Sequence, residues 1–203
     1  MILLDESFSG SQFDSRLRWH SPPKSAHLSP TGLTLETAAS SDFWQRTHYG
    51  FRVDSGHALL LPVAGDFQLE TEVSFEPVHQ YDQAGLFVRL SERCWLKASI
   101  EFEGDQPSRL GSVVTNDGFS DWATQDVDNR VRRAAYRITR RSGDYLIEHE
   151  SAPGLFSQIR LAHLAEDSGE NPVFAGLYAC SPKAAGFSAN FRFLRVSSLP
   201  GSK

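Results

Sequence analysis

The sequence is short of several things. It holds two cysteines, one methionine and four lysines in 203 residues, and no apolar run approaches the length of a membrane span. Cys94 and Cys180 lie far apart, with no second Cys and no His at metal-ligand spacing near either, so two reduced thiols are expected and no metal site. At the N-terminus only Ile2, Leu3 and Leu4 precede Asp5 and Glu6, too short a stretch for a signal-peptide core, and a cytoplasmic location is expected. Positive charge is also scarce: the net charge is −5, so neither nucleic acid nor a membrane surface is expected as a partner. The chain has no Gly-x-Ser-x-Gly elbow, no glycine-rich phosphate loop, and no His-x-x-x-His or Cys-x-x-Cys pair, so no cofactor is expected. No stretch of a dozen residues carries an apolar stripe of helical period, which argues against helices.

What the chain has is aromatic rings: 14 Phe, 4 Trp and 5 Tyr, residues that pack well on pleated surfaces and lose rotamer freedom in helices. Phe67, Leu69, Thr71, Val73 and Phe75 alternate with Gln68, Glu70, Glu72 and Ser74, the period of a strand with one buried face. Short segments of the same character recur over 32–36, 57–63, 83–90, 94–102, 109–115, 136–140, 145–150, 156–164, 173–180 and 187–196. Turn signals separate many of them, among them Glu103-Gly104-Asp105, Asn116-Asp117-Gly118 and Ser142-Gly143-Asp144. The spacing predicts one all-β domain over 1–203, an antiparallel sandwich.

Several segments carry a resemblance. They are 42–51 (Asp-Phe-Trp-Gln-Arg-Thr-His-Tyr-Gly-Phe), Gly65-Asp66-Phe67, 77–86, Trp95 and Lys97 followed by Glu101, Ser120-Asp121-Trp122, and 176–182. In this order they resemble the uncharacterised concanavalin A-like lectin/glucanase family that includes the fungal regulation-of-enolase protein. The resemblance implies a jelly-roll β-sandwich of two antiparallel sheets, one of them bent to leave a concave groove. It implies no settled activity, since the fold serves lectins, glycosidases and lyases alike.

Strand alternation assigns the faces. Ala84, Leu86, Val88 and Leu90 on one strand, with Leu96, Ala98, Ile100 and Phe102 on the next, point to the core. Gln83, Phe87 and Arg89, with Trp95, Lys97, Ser99 and Glu101, point to the groove. Tyr178 extends that face, His79, Gln80 and Tyr81 form a rim, and the cluster Trp44, His48 and Tyr49 closes one end. A surface of rings beside Gln, Arg, Lys and Glu suits stacking on a sugar and hydrogen bonding to its hydroxyls. The expectation is a non-catalytic binding module for a saccharide or small metabolite. Bland readings stand beside it: Arg89, Lys97 and Glu101 as cross-strand ion pairs on a solvated face, and 42–51 as a structural loop.

Three alternatives remain open. Glu101 and Glu103, two apart on one strand, have a spacing that lets two carboxyls converge for glycoside hydrolysis, although the Glu-x-Asp-x-Glu of single-strand glucanases is absent. A lyase would draw on Arg89, Gln83, His79 and Tyr81. A regulatory protein-interaction module of carbohydrate metabolism follows only from the fungal relative. The oligomeric state is left open. The six arginines between Arg130 and Arg141 are read as a charged strand edge rather than a site for polyanions.

Overall fold

The alternation at 67–75 becomes burial in the computed structural model, which describes residues 1–200. Phe67, Leu69, Thr71 and Val73 are fully buried, while the intervening residues face outwards. Seventeen strands form and, among the described residues, no helix. The first nine are β1 (Ile2–Glu6), β2 (Arg18–His20), β3 (Ser25–Ser29), β4 (Gly32–Glu36), β5 (Phe43–Gln45), β6 (Arg52–Asp54), β7 (His57–Val63), β8 (Phe67–Glu76) and β9 (Gln83–Ser91). They are followed by β10 (Cys94–Glu101), β11 (Ser108–Asn116), β12 (Phe119–Val127), β13 (Arg133–Arg141), β14 (Asp144–Ala152), β15 (Leu155–His163), β16 (Val173–Cys180) and β17 (Ser188–Ser198).

One sheet has eight strands in the order β15-β14-β13-β8-β17-β4-β3, with β1 added alongside β17; the other has seven, ordered β12-β11-β10-β9-β16-β7-β2. All pairings are antiparallel, as the short turns require. Asp117-Gly118 and Ser142-Gly143 both have positive φ at two successive residues, the backbone that joins β11 to β12 and β13 to β14 as tight hairpins. The core lies between the sheets. Leu86 and Val88 of β9, Leu96 and Ala98 of β10, and Leu177 and Ala179 of β16 meet Leu69, Tyr136, Ile138, Phe191 and Val196 of the opposite sheet. Cys94 and Cys180 are buried free thiols.

Small residues line up across the seven-stranded sheet. Gly85, Ser99 and Gly111 are register partners on β9, β10 and β11. A Cβ on Gly85 would stand 1.9 Å from the carbonyl oxygen of Ala98, and one on Gly111 would stand 2.2 Å from that of Ala123. Neighbouring backbone thus occupies the space a side chain would need, a close approach that only glycine permits.

The structure departs from the sequence pattern in three places. By alternation Phe193 would share the buried face of Phe191, but it lies on the outer face under Arg195, because a register shift between Phe191 and Phe193 moves the buried set to Leu194 and Val196. The segment 130–141 is not a sheet edge: β13 runs between β8 and β14. Its arginines are neutralised where they stand. Arg133 pairs with Glu72, Arg137 with Glu70 at 2.9 Å, and the fully buried Arg140 with Asp167, which also accepts the Tyr145 hydroxyl proton. Lastly, β12 was not expected at all.

Candidate functional site

The outer face of the seven-stranded sheet is only partly open. Residues 42–56 fold back over it as the hairpin β5–β6, and Phe43 stacks on Phe87 with centroids 4.4 Å apart, within 6.0 Å of Trp95 and 6.4 Å of Tyr178. Together with Trp44, Ala58, Leu60, Val113 and Cys180 these rings form a second apolar cluster on that face. Trp95 is fully buried and donates its Nε1 hydrogen to the carbonyl of Glu92 at 3.1 Å, so it offers no ring face to a ligand. Arg89 is likewise occupied, gripped in bidentate fashion by Asp54 of β6 at 2.6 and 2.8 Å. Both residues anchor the hairpin that covers them.

What the hairpin leaves uncovered is a cleft of about 380 Å³. Its floor is polar: Gln83, Lys97 and Glu101 from β9 and β10, with Asp42 reaching in from the start of the hairpin. Its walls are aromatic: Trp44, Tyr49 and Phe51 on one side, Tyr81 and Trp122 elsewhere around it, and Lys183 at the rim with its ammonium 5.1 Å from the Tyr81 ring. Tyr49 is 55% and Trp122 36% exposed, large rings left in water beside a buried polar floor.

The floor is held rigidly. Lys97 Nζ lies 3.1 Å from Asp42 Oδ1, which also accepts the Phe43 N–H at 2.7 Å. The Gln83 amide donates to Glu101 Oε2 at 2.6 Å and to the Tyr81 carbonyl at 3.1 Å, while its oxygen accepts from the Tyr178 hydroxyl at 3.0 Å. Tyr178 is therefore buried behind the floor and orients Gln83 rather than meeting a ligand.

These contacts set the charges. Burial is the largest single influence on Lys97 and pulls its ammonium down, but the charges of Asp42, Cys180 and Glu101 and the hydrogen bond to Asp42 together outweigh it, so Lys97 stays protonated. Burial pushes the Glu101 carboxyl up to about 8; Lys97 opposes the shift and the charges of Asp42 and Glu103 add to it. At neutral pH the floor therefore presents the Lys97 ammonium against Asp42 and a predominantly neutral Glu101 acid, donors and acceptors together.

Of the residues expected from sequence, Trp44, Tyr49, Tyr81, Gln83, Lys97 and Glu101 line this cleft. His48 lines a neighbouring depression. His79 and Gln80 belong to the turn before β9 that sets Tyr81: Asp82 accepts the N–H groups of Val78 and His79, each at 2.8 Å, and Tyr81 takes a φ of +76°. Gln80 donates to Glu103 at 2.7 Å, and neither lines the cleft. The second carboxyl in the cleft is thus Asp42, not Glu103. Asp42 and Trp122 were quoted for the resemblance but not assigned to the site; the signal for Asp42 was the need of a groove-facing Lys97 for a counter-ion.

Comparison with known proteins agrees with this architecture. The chain is 35% identical over 173 residues to the Saccharomyces cerevisiae protein "Regulation of enolase protein 1", covering 85% of each chain. It also superimposes on the crystal structure of a functionally unknown protein from Saccharomyces cerevisiae with a TM-score of 0.84 at 33% identity, over 92% of this chain and 98% of the other. A likeness of fold alone, at 18% identity and a TM-score of 0.75, links 96% of the chain to 39% of the Bacteroides ovatus protein "Xyloglucan PUL GH43B". Residues 19–199 match the family described as "Protein of unknown function (DUF1349)", and the chain belongs to that family.

Proposed function

We propose that the chain is a binding module for a saccharide or small polar metabolite, held in the cleft between the β5–β6 hairpin and the seven-stranded sheet. The observation that carries this reading is the pairing of exposed ring faces, Tyr49, Phe51 and Trp122, with a preorganised floor of Gln83, Lys97, Asp42 and Glu101. Sugars present one apolar ring face and a periphery of hydroxyls, each both donor and acceptor. A neutral Glu101 beside Asp42 and an ammonium meets such hydroxyls in either role. The contact surface differs from the one sequence suggested: stacking falls to Tyr49, Phe51 and Trp122 in place of Trp95 and Arg89.

A second reading is favoured by the presence of two carboxyls in one cleft, Asp42 and a Glu101 raised to about 8. Glu101 would protonate a glycosidic oxygen as the bond to the anomeric carbon breaks, and Asp42 would take a proton from the water that attacks that carbon. The name of the yeast relative suggests regulation, which ligand binding in this cleft would serve without catalysis.

Three outcomes test these readings. On a glycan array the wild-type chain binds at least one saccharide, and Trp122→Ala weakens that binding about tenfold or more; no binding by the wild type removes the module reading. For Glu101, the folded-state value lies above the unfolded one, so its protonated form is favoured by folding. The stability this contributes is present below about pH 4.5 and is lost as pH rises towards 8. Thermal unfolding of the wild type should therefore fall in midpoint over that window more steeply than for Glu101→Gln; parallel curves would contradict the assignment. If the cleft hydrolyses glycosides, reducing ends released from β-glucan or xylo-oligosaccharides drop about 10²- to 10⁴-fold in Glu101→Gln. Background rates in both chains eliminate catalysis.

A further inference from the structure

The loop between β5 and β6 divides the open face in two. On its far side lies a second depression of about 510 Å³, lined by His48, Phe119, Ser120 and Asp121 and sharing Trp44, Tyr49 and Trp122 with the first. The two spaces therefore meet along one aromatic ridge. Phe119, the first residue of β12, is 54% exposed and lines this depression with the exposed rings of Tyr49 and Trp122, a contiguous aromatic surface rather than an isolated ring. The Arg46 guanidinium sits 5.0 Å from its centroid and fixes the ring.

The dividing loop is preformed rather than loose. Arg46 and His48 adopt φ values of +56° and +63°, and Gly50 one of +76°. The Arg46 N–H reaches the Phe51 carbonyl at 2.8 Å and the Gly50 N–H reaches the Arg46 carbonyl at 2.7 Å. Left-handed backbone at two residues with side chains persists only where the surroundings over-determine it, and it gathers at ligand-holding sites. Asp121 is paired with Arg160 at 2.7 Å, the Arg46 guanidinium lies against Phe119, and the remaining polar groups are His48, Thr47 and Ser120. Rings beside hydrogen-bonding and charged groups repeat the chemistry of the inner cleft.

We propose that Phe119 and His48 form an outer subsite, so that the ligand is a linear neutral oligosaccharide lying across the Trp44, Tyr49 and Trp122 ridge, with one sugar in the inner cleft and the next against Phe119. This rests on the saccharide reading of the inner cleft and extends it to chain length. A single sugar or small metabolite would fill the inner cleft alone and leave Phe119 without a role.

The test is titration calorimetry of cellotetraose, xylotetraose and maltotetraose against glucose and xylose, with the wild type, Phe119→Ala and Phe119→Trp. At least one tetrasaccharide should bind about tenfold tighter than its monomer. Phe119→Ala should lose about three- to tenfold on the tetrasaccharide and nothing on the monomer, and Phe119→Trp should retain the gain. A tetrasaccharide that binds no tighter than its monomer, or a Phe119→Ala effect equal on both, overturns the outer subsite and leaves the inner cleft standing. Failure of every monomer and every tetrasaccharide to bind overturns both.

Discussion

The pairing of Lys97 with Asp42 is the contact on which the site depends. An ammonium projecting from the middle of a sheet and only 4% exposed is tolerable only with an anion against it, and breaking such a pair costs about 3–5 kcal/mol, far above the 0–1 kcal/mol of a surface pair. Asp42 supplies that anion from outside the sheet. Its own position is fixed by the Phe43 N–H, and its carbonyl accepts from Ser55 and Gly56 at 3.0 and 2.9 Å, which ties the two ends of the hairpin together. The charge pair and the stack of Phe43 on Phe87 therefore hold one short hairpin over half of the sheet, and the half left uncovered is the cleft.

Close backbone approach and covering act together. The row Gly85, Ser99 and Gly111 lets adjacent backbones close up, while β5, only three residues long, packs Phe43 against the rings of Phe87, Trp95 and Tyr178. This sorts the aromatic residues on that face into two groups. Phe87, Trp95 and Tyr178 support from below, and Trp44, Tyr49, Tyr81 and Trp122 remain able to touch a ligand. The protonation of Glu101 follows from the same arrangement, since burial at the floor and the fixed charge of Asp42 both favour its neutral form.

Much of the scaffold was legible from local pattern. The bounds of β4 and β7, the hairpin at Ser142-Gly143, the turn at Asp117-Gly118, and the inward faces of β9, β10 and β16 all follow from alternation and turn chemistry, which act between near neighbours in sequence. Elements that lack such a pattern were not. β12 reads Phe-Ser-Asp-Trp-Ala-Thr-Gln-Asp-Val and is exposed along most of its length, so no buried face imprints a period on it. The shift in β17 inserts a residue that no alternation announces. In the site, alternation placed Trp95 and Lys97 on the right face but carried no information on what covers that face. The covering hairpin comes from fifty residues earlier in the chain, so Trp95 and Arg89 passed for ligand contacts, and Asp42 and Trp122 went unassigned.

The central claim, that this cleft is where the chain holds a sugar, is tested most directly by a crystal structure grown with whichever glycan binds best on the array. The account predicts a sugar ring stacked against Tyr49 or Trp122, with hydroxyls within hydrogen-bond distance of Gln83, Glu101 and Asp42. A glycan bound on the outer face of the eight-stranded sheet, with the cleft holding only solvent, would contradict it.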